Sequence, residues 1–180
     1  MLHSPQTVSS AHAMENEIAE LPSEPQPYQP ELRKAINSGI RMLARRERTR
    51  SQLLHKLCEK GYEPDLAESA VNDLVRTGLQ SDARYAESRA RELIHRGKGP
   101  LWIERALAAD GIPESTASHA LSCAIGSLRD GDEDDGAFWE ARARKALGNR
   151  HTAPANAMDF LRGRGFRIDR QGVEVLLGLR

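Results

Sequence analysis

One phrase occurs three times in this chain and limits what it can fold into. A leucine is followed four residues later by a glycine, and then at once by a large apolar residue: Leu57, Gly61, Tyr62; Leu107, Gly111, Ile112; Leu161, Gly165, Phe166. Ten residues after each glycine stands another apolar residue, Val71, Leu121 and Val175. Upstream lie three Ala-basic pairs, Ala44-Arg45, Ala90-Arg91 and Ala143-Arg144. Glycine just past a helical stripe is the left-handed stop that helix C-termini favour. Self-similarity at a period of about 50 residues predicts one supersecondary unit used three times. Such a chain builds an extended surface for a large partner and is poorly suited to a buried catalytic pocket.

Composition agrees. Of 180 residues, 39% are hydrophobic and 4% aromatic, so the core is mostly aliphatic and thin, as small stacked helical units require. Net charge is zero, but the charges are segregated. Residues 41–60 carry seven bases against two acids, and residues 142–170 carry eight against two. Residues 129–135 hold five acids and one base, and the first 36 residues hold five acids against Arg33 and Lys34. Basic stretches separated by acidic connectors point to a polyanionic partner or an acidic protein groove. The two cysteines, Cys58 and Cys123, lie in apolar-periodic segments without ligand spacing, so a reduced, cytoplasmic protein is expected. No run of 18 apolar residues and no basic-then-apolar N-terminus occurs, so neither a membrane span nor a signal peptide is expected.

The fold expected is all-α: three tandem three-helix repeats forming an elongated, curved, solenoid-like arc. Residues 1–30, with Pro22, Pro25, Pro27 and Pro30, read as a disordered acidic tail, and Pro30 as the stop before the first helix. The repeats span 31–80, 81–128 and 137–180, with an acidic linker at 129–136. The first helix is expected from Glu31 to Glu47 with Ile36, Ile40, Leu43 and Ala44 on one face, weakened at Gly39. Thr49-Arg50-Ser51-Gln52 fits a capping box opening the second helix, and Ser81 caps the fourth. Val173, Val175, Leu176 and Leu179 are expected to form the last apolar stripe.

No enzyme signature is present. Gly97-Lys98-Gly99 lacks the preceding strand and the following Ser/Thr of a phosphate-cradling loop, and Pro100 removes a backbone donor; it reads as a turn between helices. The six histidines show no i, i+4 pairing with one another, so no metal and no cofactor is expected. Trp102, Trp139 and Tyr85 read as core rather than as a stacking platform. What remains is arginine at helix ends: Arg45, Arg46, Arg48 and Arg50 with Lys56; Arg84, Arg91, Arg96 and Lys98; Arg144, Arg162 and Arg164. Arginine suits bidentate contacts to phosphate or carboxylate.

Several of these stretches are similar to a known family. Leu43-Ala44-Arg45-Arg46-Glu47-Arg48-Thr49-Arg50-Ser51-Gln52-Leu53 with Lys56-Leu57 and Glu59-Lys60-Gly61-Tyr62 resembles the opening of bacterial RecX regulatory proteins. So do Gly78-Leu79-Gln80-Ser81-Asp82-Ala83-Arg84-Tyr85-Ala86-Glu87-Ser88, Arg96-Gly97-Lys98-Gly99-Pro100 and Phe160-Leu161-Arg162-Gly163-Arg164-Gly165-Phe166. The likeness covers roughly residues 35–180; Gln80 stands where the family more usually has an aliphatic or acidic residue, and the third unit diverges before Phe160. The resemblance implies a non-catalytic modulator that binds the RecA nucleoprotein filament, lies in its groove, and suppresses ATP hydrolysis, strand exchange and filament growth. Its expected partner is that filament, its expected state a monomer, and the arginines above its expected contact residues. The rivals are a helical module binding DNA directly, without RecA, and a purely structural adaptor.

Overall fold

Prolines and glycines punctuate the helices. Pro64, Pro100 and Pro154 occupy the first turn of a helix, where the missing N–H has no partner to lose. The computed structural model describes residues 30–129, 131, 134–148 and 153–179. Among them nine helices run α1 (Pro30–Leu43), α2 (Arg50–Glu59), α3 (Pro64–Arg76), α4 (Asp82–His95), α5 (Pro100–Ala109), α6 (Glu114–Leu128), α7 (Asp135–Leu147), α8 (Pro154–Gly163) and α9 (Arg170–Leu176). No strand occurs among the described residues. The helices associate by threes, α1 with α2 and α3, α4 with α5 and α6, α7 with α8 and α9. The fold is all-α, a curved arc of three tandem three-helix units. The expected tail lies outside the described residues except for Pro30, which begins α1 instead of preceding it. Asp130, Asp132 and Glu133 of the expected linker are also outside them, while Asp134 caps α7 by accepting from the Ala137 N–H at 2.8 Å.

The repeated phrase is a helix terminus. The N–H of the residue after each glycine donates to the carbonyl of the leucine: Tyr62 to Leu57 at 3.3 Å, Ile112 to Leu107 at 3.0 Å, Phe166 to Leu161 at 3.1 Å. This six-residue closure needs a left-handed residue between, and Gly61, Gly111 and Gly165 have φ of +89°, +82° and +87°. Leu57, Leu107 and Leu161 are fully buried, so one motif both ends the middle helix of each unit and anchors it in the core.

The structure corrects the expected faces at three places. In α1 the buried residues are Ala35, Ser38, Gly39 and Met42, while Ile40 and Ala44 are exposed. The reason is a close crossing: a Cβ at Gly39 would come within 2.5 Å of the Leu74 Cδ1 of α3. Small residues therefore face the core, and Gly39 is a packing requirement. Ala90 and Ala143 are buried in α4 and α7, so the Ala-basic pairing holds for two units and fails at Ala44, which lies in the turn after α1.

The first helix also ends earlier than expected, at Leu43. Residues 47–49 are held instead by contacts to the second unit and by the cap of α2. In the last unit Val175 is 43% exposed, Leu179 is exposed, and Val173 is buried. The N-caps of α3 and α6, Glu63 and Pro113, stand two positions after their glycines; Asp169, the N-cap of α9, stands four after Gly165. Those two extra residues rotate the stripe, so Val173 takes the place that Ala67 and Ala117 hold.

Candidate interface at the junctions between units

The expected contact residues gather where one unit meets the next. At the first junction the side chains are polar. Thr49, almost fully buried, caps α2 by accepting from the Gln52 N–H at 3.1 Å. The Arg50 N–H, left unpaired by the helix start, donates to Asp82 Oδ1 at 2.8 Å, so the second unit also caps α2. Gln80, 3% exposed, donates its amide to the same Asp82 oxygen at 2.7 Å and to the Arg48 carbonyl at 3.2 Å. The residue that departs from the family pattern is thus a satisfied buried amide. Arg84 binds the Glu47 carboxylate and donates to the Gly78 and Leu79 carbonyls. The Glu47 hydrogen bond holds its guanidinium above the ordinary pKa.

Further along, Tyr85 donates to Asp110 Oδ2 at 2.8 Å, and Arg89 stands 3.6 Å from the same carboxylate. The side chain of Gln52 reaches both Tyr85 and Asp110 instead of closing the capping box on Thr49. Burial pushes the Tyr85 hydroxyl pKa up.

At the second junction the capping groups are backbone. The Gly99 N–H donates to the Arg164 carbonyl at 2.8 Å and the Leu101 N–H to the Gly165 carbonyl at 3.1 Å, so the turn before α9 caps the start of α5. A Cβ on Gly99 would lie 2.5 Å from Gly165 C and Phe166 N; one on Gly165 would lie 2.3 Å from Trp102 N. Neither glycine tolerates a side chain. Arg164 lies over the Phe160 ring and donates to the Arg96 and Gly97 carbonyls at 3.3 Å. Trp139 bridges the units, edge-on to Phe138 at 5.2 Å and to Phe166 at 6.1 Å. Phe138, though on α7, is buried in the core of the second unit.

The twelve expected contact residues therefore have different occupations. Arg84 and Arg164 brace junctions. Arg50 reaches Glu68, Lys56 pairs with Glu59, Arg91 with Glu87, Arg96 with Glu92 and Arg144 with Glu140. Lys98 lies 4.2 Å over the Trp102 ring, and Arg162 donates to the Ile168 carbonyl. Arg45, Arg46 and Arg48 have no ion-pair partner among the described residues. Arg46 and Arg48 line a cleft of about 580 Å³ between the first two units, together with Lys56. Sequence reasoning missed Glu47, Gln52 and Asp110 and took Tyr85 for core; all four line it, with Arg89. No spacing along the chain points to them, since Gln52 meets Tyr85 and Asp110 across 33 and 58 positions. Among the described residues no helix is long and apolar enough to cross a membrane.

Comparison with known proteins fits this architecture. Residues 35–74 match the family model for the first three-helix domain of RecX, and residues 81–121 that for the second. The chain is 35% identical over 140 residues to the regulatory protein RecX of Chromohalobacter salexigens, covering 74% of this chain and 85% of that one. It is 31% identical over 141 residues to the one from Halorhodospira halophila, covering 74% and 81%. The crystal structure of RecX from Lactobacillus salivarius shares the fold, with TM-score 0.64 at 22% identity over 83% of this chain and 96% of that one. With identity of this level over most of a relative's length, the chain belongs to the RecX family of regulatory proteins.

Proposed function

We propose that this protein is a non-catalytic regulator that binds along the RecA–DNA filament in the cytoplasm as a monomer, lowering RecA's ATP hydrolysis and strand exchange and limiting filament growth. The observation that carries the reading is the recurrence of arginine-bearing turns at successive unit junctions in a member of the RecX family. Three units, taken at 31–80, 81–128 and 137–180, offer contacts to successive subunits of a helical filament. Linked contacts gain affinity through effective concentration, so individually weak ones suffice. Charge at those contacts sets specificity and encounter rate, and salt weakens it.

The test is DNA-dependent ATP hydrolysis by RecA. Adding the protein at a fraction of the RecA concentration is expected to lower the steady rate, less so at high salt. An unchanged rate at stoichiometric excess, with no co-sedimentation on filaments, removes the reading.

A further inference from the structure

The cations of the described residues fall into two groups. Most are held by a carboxylate, a carbonyl or a ring. The exceptions are Arg33, Arg105 and Lys145, which stand singly, and a run between positions 41 and 48: Arg41, Arg45, Arg46 and Arg48 have no side-chain partner among the described residues. Arg46 and Arg48 line the cleft between the first two units. Its carboxylates are engaged elsewhere, Glu47 by Arg84, Glu92 by Arg89 and Arg96, Asp110 by Tyr85 and Arg89. The Nε of Arg48 is shielded from solvent and has no acceptor. Burial first, and then the charge of Arg46, hold the Arg48 guanidinium below its ordinary pKa. A shielded donor without an acceptor, beside a like charge, is stabilised by an arriving oxyanion.

We propose that the cleft between the first and second units seats phosphate groups of a nucleic-acid backbone, gripped by the Arg46 and Arg48 guanidiniums. A string of unmatched charges fits a ligand with regularly spaced negative groups better than a single carboxylate. The aromatic side chain lining the cleft, Tyr85, has its hydroxyl tied to Asp110, so the contact is to backbone and independent of base sequence. The seat deepens the proposed function, since it would place this protein on the DNA that RecA coats, yet it is tested without RecA.

The experiment is fluorescence anisotropy of a labelled oligo-dT with the full chain, RecA absent, across a salt series. The R46Q/R48Q double variant is compared with R105Q/K145Q, which removes two exposed cations that also lack partners among the described residues and lie outside the cleft. The first is expected to weaken binding about tenfold at low salt and to reduce the salt slope by about 1.4, two phosphates' worth for a single strand. The second is expected to change affinity by less than about threefold. Both should melt as the wild type does, because the one tertiary hydrogen bond from Arg48 uses its carbonyl.

Equal losses in the two variants overturn the seat in favour of diffuse charge. Displacement of the oligonucleotide by millimolar inorganic phosphate alone assigns the cleft to a free phosphate and overturns the nucleic-acid ligand. A wild type that ignores the oligonucleotide, while R46Q/R48Q loses inhibition of RecA, assigns the cleft to an acidic protein surface and overturns it too. A wild type that binds the oligonucleotide through Arg46 and Arg48 but leaves RecA's ATP hydrolysis unchanged keeps the seat and removes the proposed function.

Discussion

The two junctions solve one problem in opposite ways. In each, the N-terminus of a unit's middle helix is capped by the following unit, which satisfies donors that a helix start leaves free. The first junction does it with a side chain, Asp82 on the Arg50 N–H, and surrounds that cap with Gln80 on the Arg48 carbonyl and Arg84 on Glu47. The second does it with carbonyls of the turn before α9, brought within reach because Gly99 and Gly165 carry no Cβ. A side-chain cap such as Asp82 draws part of its strength from its charge. Backbone caps between glycines fix the approach without using charge, although Arg167 also pairs with Glu104 across this junction. The open, basic cleft lies at the junction capped by a side chain.

The largest test of this contrast is Gly165→Ala. The new Cβ meets the Trp102 backbone at 2.3 Å and the residue must keep a left-handed φ. Left-handed geometry costs about 1–2 kcal/mol and overpacking about 1–3, so a loss of about 2–5 kcal/mol is expected in urea unfolding. An unchanged midpoint would show that the glycine contact is not tight.

At the first junction Asp82→Ala is expected to lose about 1–3 kcal/mol, because it strands the Arg50 N–H and half of the buried Gln80 amide. Asp82→Asn, which keeps an acceptor, should recover most of that. Recovery with neither variant different from wild type would remove Asp82 as the cap.

A smaller effect is expected for the Arg84–Glu47 pair. Both side chains are partly exposed, so a double-mutant cycle should give about 0.2–1 kcal/mol, shrinking as salt rises. A coupling that stays constant in salt would show that this pair does not act through exposed charge.

The smallest effect is alkaline. Burial raises the Tyr85 pKa above its unfolded value, so the neutral hydroxyl is the form the fold prefers. That contribution is complete below the unfolded pKa of about 10 and is lost as pH rises through the folded one. Stability should therefore fall less between pH ~8 and ~11 in Tyr85→Phe than in the wild type. Parallel pH profiles would show that burial leaves this hydroxyl untouched.

Much of this architecture could be read from particular residues. The leucine–glycine–apolar phrase marked three helix ends because only a left-handed residue permits that closure, and glycine adopts it freely. Thr49 and Ser81 were legible as caps because the acceptor and the donor lie three residues apart. The face of α1 was not legible, since apolar bulk singled out Ile40 whereas closeness to α3 selected Ala35, Ser38 and Gly39. The basic stretches were visible, but not which arginines are occupied: Arg48 and Arg84 look alike in sequence and differ in having a remote carboxylate.

What the sequence by itself determined is therefore local: where helices begin and end, that they come in threes, and where charge accumulates. These depend on interactions spanning a few residues, which spacing records. Only the tertiary structure decided that Gly99 meets Gly165, that Gln52 turns from its own helix toward Asp110, and that Arg46 and Arg48 share a cleft whose carboxylates are engaged by other side chains. Those outcomes depend on distances between residues 30 to 70 positions apart, set by how units pack, and packing is a property of surfaces that no local pattern encodes.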